Sequence, residues 1–84
     1  MKLYAGIDLH STNSYVVLIN ELGELKYKKR LPNDIDTILH ELKRHDHIES
    51  VVVESTYNWY WLVDGLKESG FTVRLANTTA IQQY

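Results

Sequence analysis

Apolar residues fall in short runs over the first third of the sequence and at helical spacing over much of the rest. Leu3 to Asp8 is an apolar run with Tyr4 and Ile7, and Tyr15 to Ile19 is a second one, rich in Val, Leu and Ile. Both read as strands, because β-branched and aromatic side chains suit a pleated, half-buried surface. Between them His10 to Ser14 is polar and fits a tight connection, and Asn20-Glu21-Leu22-Gly23 offers a turn into a third run. There Leu25, Tyr27 and Leu31 alternate with Lys26, Lys28 and Arg30, the period of two that separates a buried face from a wet one, until Pro32 ends the strand.

The period then changes. Ile35, Ile38, Leu39 and Leu42 fall at i, i+3, i+4 and i+7, one apolar stripe of a helix, with Asn33 or Asp34 placed to cap it. Val51, Val52 and Val53 run unbroken to Glu54, which predicts a parallel strand covered on both faces. Ser55 or Thr56 can cap a second helix from about Tyr57 to Ser69, with Trp59, Leu62, Val63 and Leu66 as its stripe and Gly70 as its stop. Thr72 to Leu75 reads as a last strand, and Asn77 to Tyr84 as the start of a further helix with nothing to finish it. The chain is accordingly expected to be a single domain, residues 1–84, incomplete at its C-terminus.

The predicted order is β-β-β-α-β-α-β: three antiparallel strands, then two crossovers that place the fourth and fifth strands parallel to the first. That is an α/β mixed sheet of the ribonuclease-H-like kind. It puts the first and fourth strands side by side, with their carboxyl ends opening on one crevice, where such sheets tend to carry their sites. Asp8 and Glu54 stand at those two ends.

Composition narrows the functional classes. With 84 residues the chain forms one small domain that buries only about 60% of its unfolded surface. Its 44% hydrophobic and 24% charged content suits a globular chain, and no run approaches the roughly 20 apolar residues of a membrane span or the layout of a signal peptide. A cytoplasmic location is the expectation. The absence of cysteine excludes disulfides, thiolate metal sites and cysteine nucleophiles. A net charge of −2 gives no bulk electrostatic argument for nucleic acid, so such contacts would have to be local.

Two acids from separate strands suit hard cations. Phosphodiester cleavage or strand transfer can use two metal ions about 4 Å apart that stabilise the attacking and the leaving oxygen. Magnesium takes oxygen ligands and keeps several waters, so a few Asp and Glu side chains suffice to hold it. An acid at a strand end is also, commonly, just the solvated start of a loop. The joint placement of Asp8 and Glu54 is what favours a site.

The segments Gly6-Ile7-Asp8-Leu9-His10 and Val52-Val53-Glu54-Ser55-Thr56-Tyr57-Asn58-Trp59-Tyr60 are followed by Leu62 to Leu66, Gly70 and Val73-Arg74-Leu75-Ala76-Asn77. Together they closely resemble the N-terminal domain of bacterial DEDD insertion-sequence transposases. The resemblance implies a RuvC-like, magnesium-dependent domain whose first two catalytic and metal-binding acids match Asp8 and Glu54. It implies two further aspartates shortly after the position matching Tyr84, and a C-terminal domain with a catalytic serine. DNA as the partner, a guide RNA in recombination and homo-oligomerisation are implied as well, with this stretch inactive by itself. Ser11 departs from the pattern, since a basic residue commonly follows the histidine.

A rival resemblance begins at the same acid. Gly6 to Ser14 is similar to the first phosphate loop of actin-like and chaperone ATPases, but those carry glycine at the position of His10, where a side chain would obstruct a phosphate. No P-loop motif is present. A non-catalytic self-association module is the other alternative.

Further residues carry two readings each. His10 can orient a water or touch a scissile phosphate, or be an exposed turn histidine. Ser55, Thr56 and Tyr57 are candidate nucleic-acid contacts: Ser55 and Thr56 at a helix N-terminus, where free amides favour an anion, although ordinary capping explains these two equally well. Tyr57, Tyr60 and Trp61 share a predicted helix face that could stack unpaired bases, or could pack under a C-terminal portion or a second subunit. Lys26 to Arg30 fits a solvated edge strand better than a phosphate track. His40, His45 and His47 lack a fourth zinc ligand and suit a helix C-terminus.

Overall fold

In the computed structural model, which describes residues 2–55 and 58–76, one five-stranded sheet carries two helices. Strands β1 (Leu3–Leu9), β2 (Asn13–Asn20) and β3 (Leu25–Pro32) are followed by α1 (Ile35–Lys43), β4 (Ile48–Glu54), α2 (Tyr60–Glu68) and β5 (Val73–Ala76). The order across the sheet is β3-β2-β1-β4-β5. β1 to β3 pair antiparallel, whereas β4 lies parallel to β1 and β5 parallel to β4. This is the mixed sheet that the alternation and helical stripes predict.

Turn chemistry sets the meander. Asn20, buried at the end of β2, accepts from the backbone N–H groups of Leu22 and Glu24 at 2.9 and 3.0 Å, and Gly23 takes φ +80°, a left-handed conformation that costs glycine little. The β1–β2 connection is shorter than the sequence suggests. Asn13 and Ser14 already belong to β2, leaving His10 to Thr12 outside the strands.

One face of the sheet holds the core. Ala5, Ile7, Leu9, Val16, Leu18, Leu31, Val51 and Val53 pack with Ile38 and Leu42 of α1 and Leu62, Val63 and Leu66 of α2. Asp34 caps α1, accepting from the Thr37 backbone N–H at 3.2 Å and the Thr37 hydroxyl at 2.6 Å. Glu41 is also buried, beside the apolar stripe. Its carboxylate accepts from the Tyr27 hydroxyl at 2.7 Å and lies 3.6 Å from Lys29 and 3.3 Å from Arg44. Those partners explain why an acid is tolerated there, since a buried charge is costly unless paired.

Two expectations are corrected. β4 is covered on one face only among the described residues: Val51 and Val53 are buried, but Val52 is half-buried on the opposite face with Gly6 and Val17. The apolar valine run therefore reflects a core on one side and an open apolar strip on the other. Helix α2 begins at Tyr60 rather than near Tyr57, with Trp59 as an N-cap that makes no side-chain cap bond. Ser55 is thus not its cap. Asn58 has φ +35° and Trp59 stacks on Tyr60 with ring centroids 4.2 Å apart, and together they defer the helical start. Thr56, Tyr57 and Asn77 to Tyr84, with the further helix predicted there, lie outside the described residues.

Candidate active site

Strand alternation aims the two acids. In β1 the inward side chains are Ala5, Ile7 and Leu9, so Gly6 and Asp8 face the other way; in β4 Val51 and Val53 are inward, so Val52 and Glu54 face that same open side. The parallel register pairs Asp8 directly with Glu54, at the carboxyl ends of both strands. Adjacent strands run about 4.8 Å apart, so both carboxylates can reach a common point. They line one trough of about 180 Å³ with Gly6, Tyr15, Val17 and Val52. A Cβ added at Gly6 would meet nothing within 4 Å, so the missing side chain lowers the trough floor beside Asp8.

His10 completes the visible polar rim. Its Nε2 lies 3.1 Å from Asp8 Oδ2, with both side chains about half exposed, and its ring stands edge-on to Tyr15 at 5.7 Å and 87°. Tyr15 is the register partner of Asp8 on β2. Among the described residues, His10 is the basic group within ion-pair distance of this acid pair.

The donor set suits a hard cation. Two adjacent exposed carboxylates match magnesium, which uses one or two protein carboxylates and completes its shell with water and substrate phosphate. Among the described residues no cluster of three or more His, Cys, Asp or Glu is arranged to hold a metal, so a closed zinc-type site is not formed by His40, His45 and His47. His45 instead packs its ring against Tyr27 at 4.8 Å.

The remaining candidates separate. Ser55 is buried at 6% exposure, directly after Glu54, while Thr56 and Tyr57 lie outside the described residues. Tyr60 is 62% exposed, but Trp61 packs against the core, so the two do not form a continuous stacking face. Lys26, Lys28 and Arg30 are exposed on the edge strand β3, where the register sets Arg30 opposite Tyr15, itself opposite Asp8, so that Arg30 stands two strands from the acid. Asn33 and Ser14 were not legible as site residues: Ser14 Oγ donates to Asn33 Oδ1 at 2.6 Å, and Asn33 Nδ2 donates to the His10 carbonyl at 2.7 Å. The one available signal was a serine at an inward position of a strand, in step with Val16 and Leu18.

The family model described as transposase, DEDD type of the IS110 group, matches residues 5–84, which includes both acids and the trough. The chain belongs to this transposase family. No curated relative matches the sequence. Among solved structures, the transposase chain is similar to RuvC of T. thermophilus in complex with a Holliday junction substrate, at 16% identity and a TM-score of 0.74, covering 99% of this chain and 69% of RuvC. It is also similar to Pelota of Archaeoglobus fulgidus, at 13% identity and a TM-score of 0.61, over 89% of this chain and 26% of Pelota. A ROK family protein from Streptococcus pneumoniae in complex with sucrose matches at 16% identity and a TM-score of 0.57, over 89% of this chain and 34% of the other. These likenesses establish the RuvC-like, ribonuclease-H-like fold of the transposase chain. Among its described residues no helix is long and apolar enough to cross a membrane.

Proposed function

We propose that this transposase chain is the N-terminal part of a catalytic domain that cuts and joins DNA, and that Asp8 and Glu54 are two of its magnesium ligands. The observation that carries the reading is their direct pairing in the β1–β4 register at the rim of one trough. Bound there, magnesium would supply stabilisation of charge on the attacking and leaving oxygens of a phosphodiester. Asp8 and Glu54 would hold it by oxygen, and the open side of the sheet leaves their carboxylates accessible to a backbone phosphate. His10, whose Nε2 lies 3.1 Å from Asp8, would contact a phosphate oxygen at the same rim. Ser55 is buried, so of the contacts proposed from sequence the phosphate role rests first on His10.

Two further parts of the proposal rest on the resemblance to DEDD transposases. More carboxylates and a serine-bearing domain belong to that resemblance, and recombination of DNA is proposed to require them together with Asp8 and Glu54. A guide RNA and self-association belong to the same inference, with DNA as the substrate.

The test uses the complete transposase polypeptide with a labelled DNA substrate and magnesium. Asp8→Asn and Glu54→Gln should each lower strand cleavage by at least about 100-fold, about 2.7 kcal/mol of lost charge stabilisation, while DNA binding persists. Cleavage at the wild-type rate by either variant would reject the assignment.

A further inference from the structure

The β1–β2 turn is tied to the start of α1 by a buried hydroxyl and a half-buried carboxamide that local turn chemistry does not require. Ser14 is fully buried at an inward position of β2, opposite Leu9 on one side and Leu31 on the other. Its hydroxyl donates to Asn33 Oδ1 at 2.6 Å. The other end of the same carboxamide donates from Nδ2 to the His10 carbonyl at 2.7 Å, and the His10 N–H donates to the Asn13 carbonyl at 2.9 Å. The main chain of His10 is therefore held at both its donor and its acceptor. With the backbone held, the ring meets Asp8 at 3.1 Å and the edge of Tyr15 at 5.7 Å.

Helix α1 does not need Asn33 for this. The neighbouring Asp34 is its N-cap, through both the backbone N–H and the hydroxyl of Thr37. Asn33 instead spends both functions of its amide on β2 and on the β1–β2 turn, which lie 19 and 23 positions away in sequence. A polar network anchored on the buried Ser14 hydroxyl, with both ends of the Asn33 amide satisfied, favours a single local arrangement.

We propose that Asn33, oriented by Ser14, is a positioning residue that fixes His10 beside Asp8 and so sets the rate of strand cleavage. The catalytic half of this statement rests on the nuclease reading above. Asn33 touches neither acid, so its effect passes through the placement of His10. Misplacement of a reacting group by about 1 Å can cost on the order of 100-fold in rate.

Asn33→Asp isolates the point. The aspartate keeps an oxygen to accept from Ser14 but has no N–H for the His10 carbonyl. In the 84-residue chain, the ring protons of His10 report its edge contact with Tyr15 by NMR at one fixed pH, with Tyr15→Leu defining the shift when that contact is gone. We expect Asn33→Asp to move these resonances at least halfway to the Tyr15→Leu values. In the complete transposase, single-turnover cleavage at saturating DNA and magnesium should fall about 10-fold, with the DNA dissociation constant within about twofold of wild type. Ser14→Ala, which leaves the Asn33 donor in place but loosens it, should shift both readouts the same way by less. His10 resonances at wild-type positions in both variants would overturn the proposal, as would a displaced ring with an unchanged rate. Asp8→Asn cleaving at the wild-type rate would instead bring down the nuclease reading, and the NMR arm alone would then decide whether Asn33 places His10.

Discussion

Gly65 lies on the face of α2 that meets α1, and a methyl group there would land 2.5 Å from both Cγ1 and Cδ1 of Ile35. Favourable carbon contacts sit at about 3.5–4.0 Å, so Ile35 or the helix would have to retreat by roughly 1 Å. Two terms oppose each other in Gly65→Ala. Replacing glycine by alanine inside a helix gains about 1 kcal/mol of propensity, whereas forcing a methyl into packed space costs about 1–3 kcal/mol. The net expectation is a loss of about 1 kcal/mol. Ile35→Ala deletes the two clashing atoms and leaves only Cβ, which stands 3.8 Å from the new methyl, an ordinary contact. In that background Gly65→Ala should turn stabilising by up to about 1 kcal/mol. Urea denaturation of the four proteins of this cycle, followed by far-ultraviolet circular dichroism, measures the coupling, expected at about 1–3 kcal/mol. The same effect of Gly65→Ala in both backgrounds would refute the close approach of the helices. That approach bears on the site because it sets the start of α2, with Asn58 and Trp61, beside Asn33 and His10 around one depression.

Asp34→Ala removes the α1 cap and should cost about 1 kcal/mol by the same denaturation assay, with the His10 ring resonances unchanged if capping and turn anchoring are separate. Burial and then the hydrogen bond to Glu41 raise the Tyr27 phenol from 10.0 to about 12. The stability it contributes is therefore full below pH 10 and lost as pH rises from 10 towards 12. The Tyr27 hydrogen bond, followed by Lys29 and Arg44, holds the Glu41 carboxyl below 4.5 against the opposing effect of its burial. That contribution is present above pH 4.5 and lost as pH falls through and below it. Melting temperatures of wild type and Tyr27→Phe across both limbs should converge at each extreme; a constant difference at all pH values would contradict the pairing.

Much of the frame is legible in the sequence because its signals are local. The Leu25, Tyr27 and Leu31 alternation, the i, i+3, i+4, i+7 stripe of α1 and the Asn20 to Gly23 turn each depend on neighbours in the chain, and each appears as read, apart from Leu25, which is exposed at the sheet edge. Right topology then places Asp8 beside Glu54, since a strand that crosses over to pair with β1 brings its own carboxyl end to the same edge. What local patterns miss are features decided by tertiary partners. Ser55 looks like a cap, but the left-handed Asn58 and the stacked Trp59 accompany a helix start at Tyr60. Val52 looks like core because its valine neighbours are core, yet it lies on the open face. Glu41 is buried through partners on β3 and on its own helix, and Ser14 and Asn33 meet across 19 positions that no periodicity connects.

Asp8 and Glu54 are proposed to serve one cation, and manganese, which shares magnesium's preference for oxygen ligands, tests this directly through its paramagnetism. In a manganese titration of the isotopically labelled chain, the amide signals of Asp8 and Leu9 on β1 and of Glu54 on β4 should broaden together with a single apparent affinity, and Asp8→Asn or Glu54→Gln should each abolish broadening on both strands. Broadening that survives at wild-type affinity in either variant would contradict a shared site.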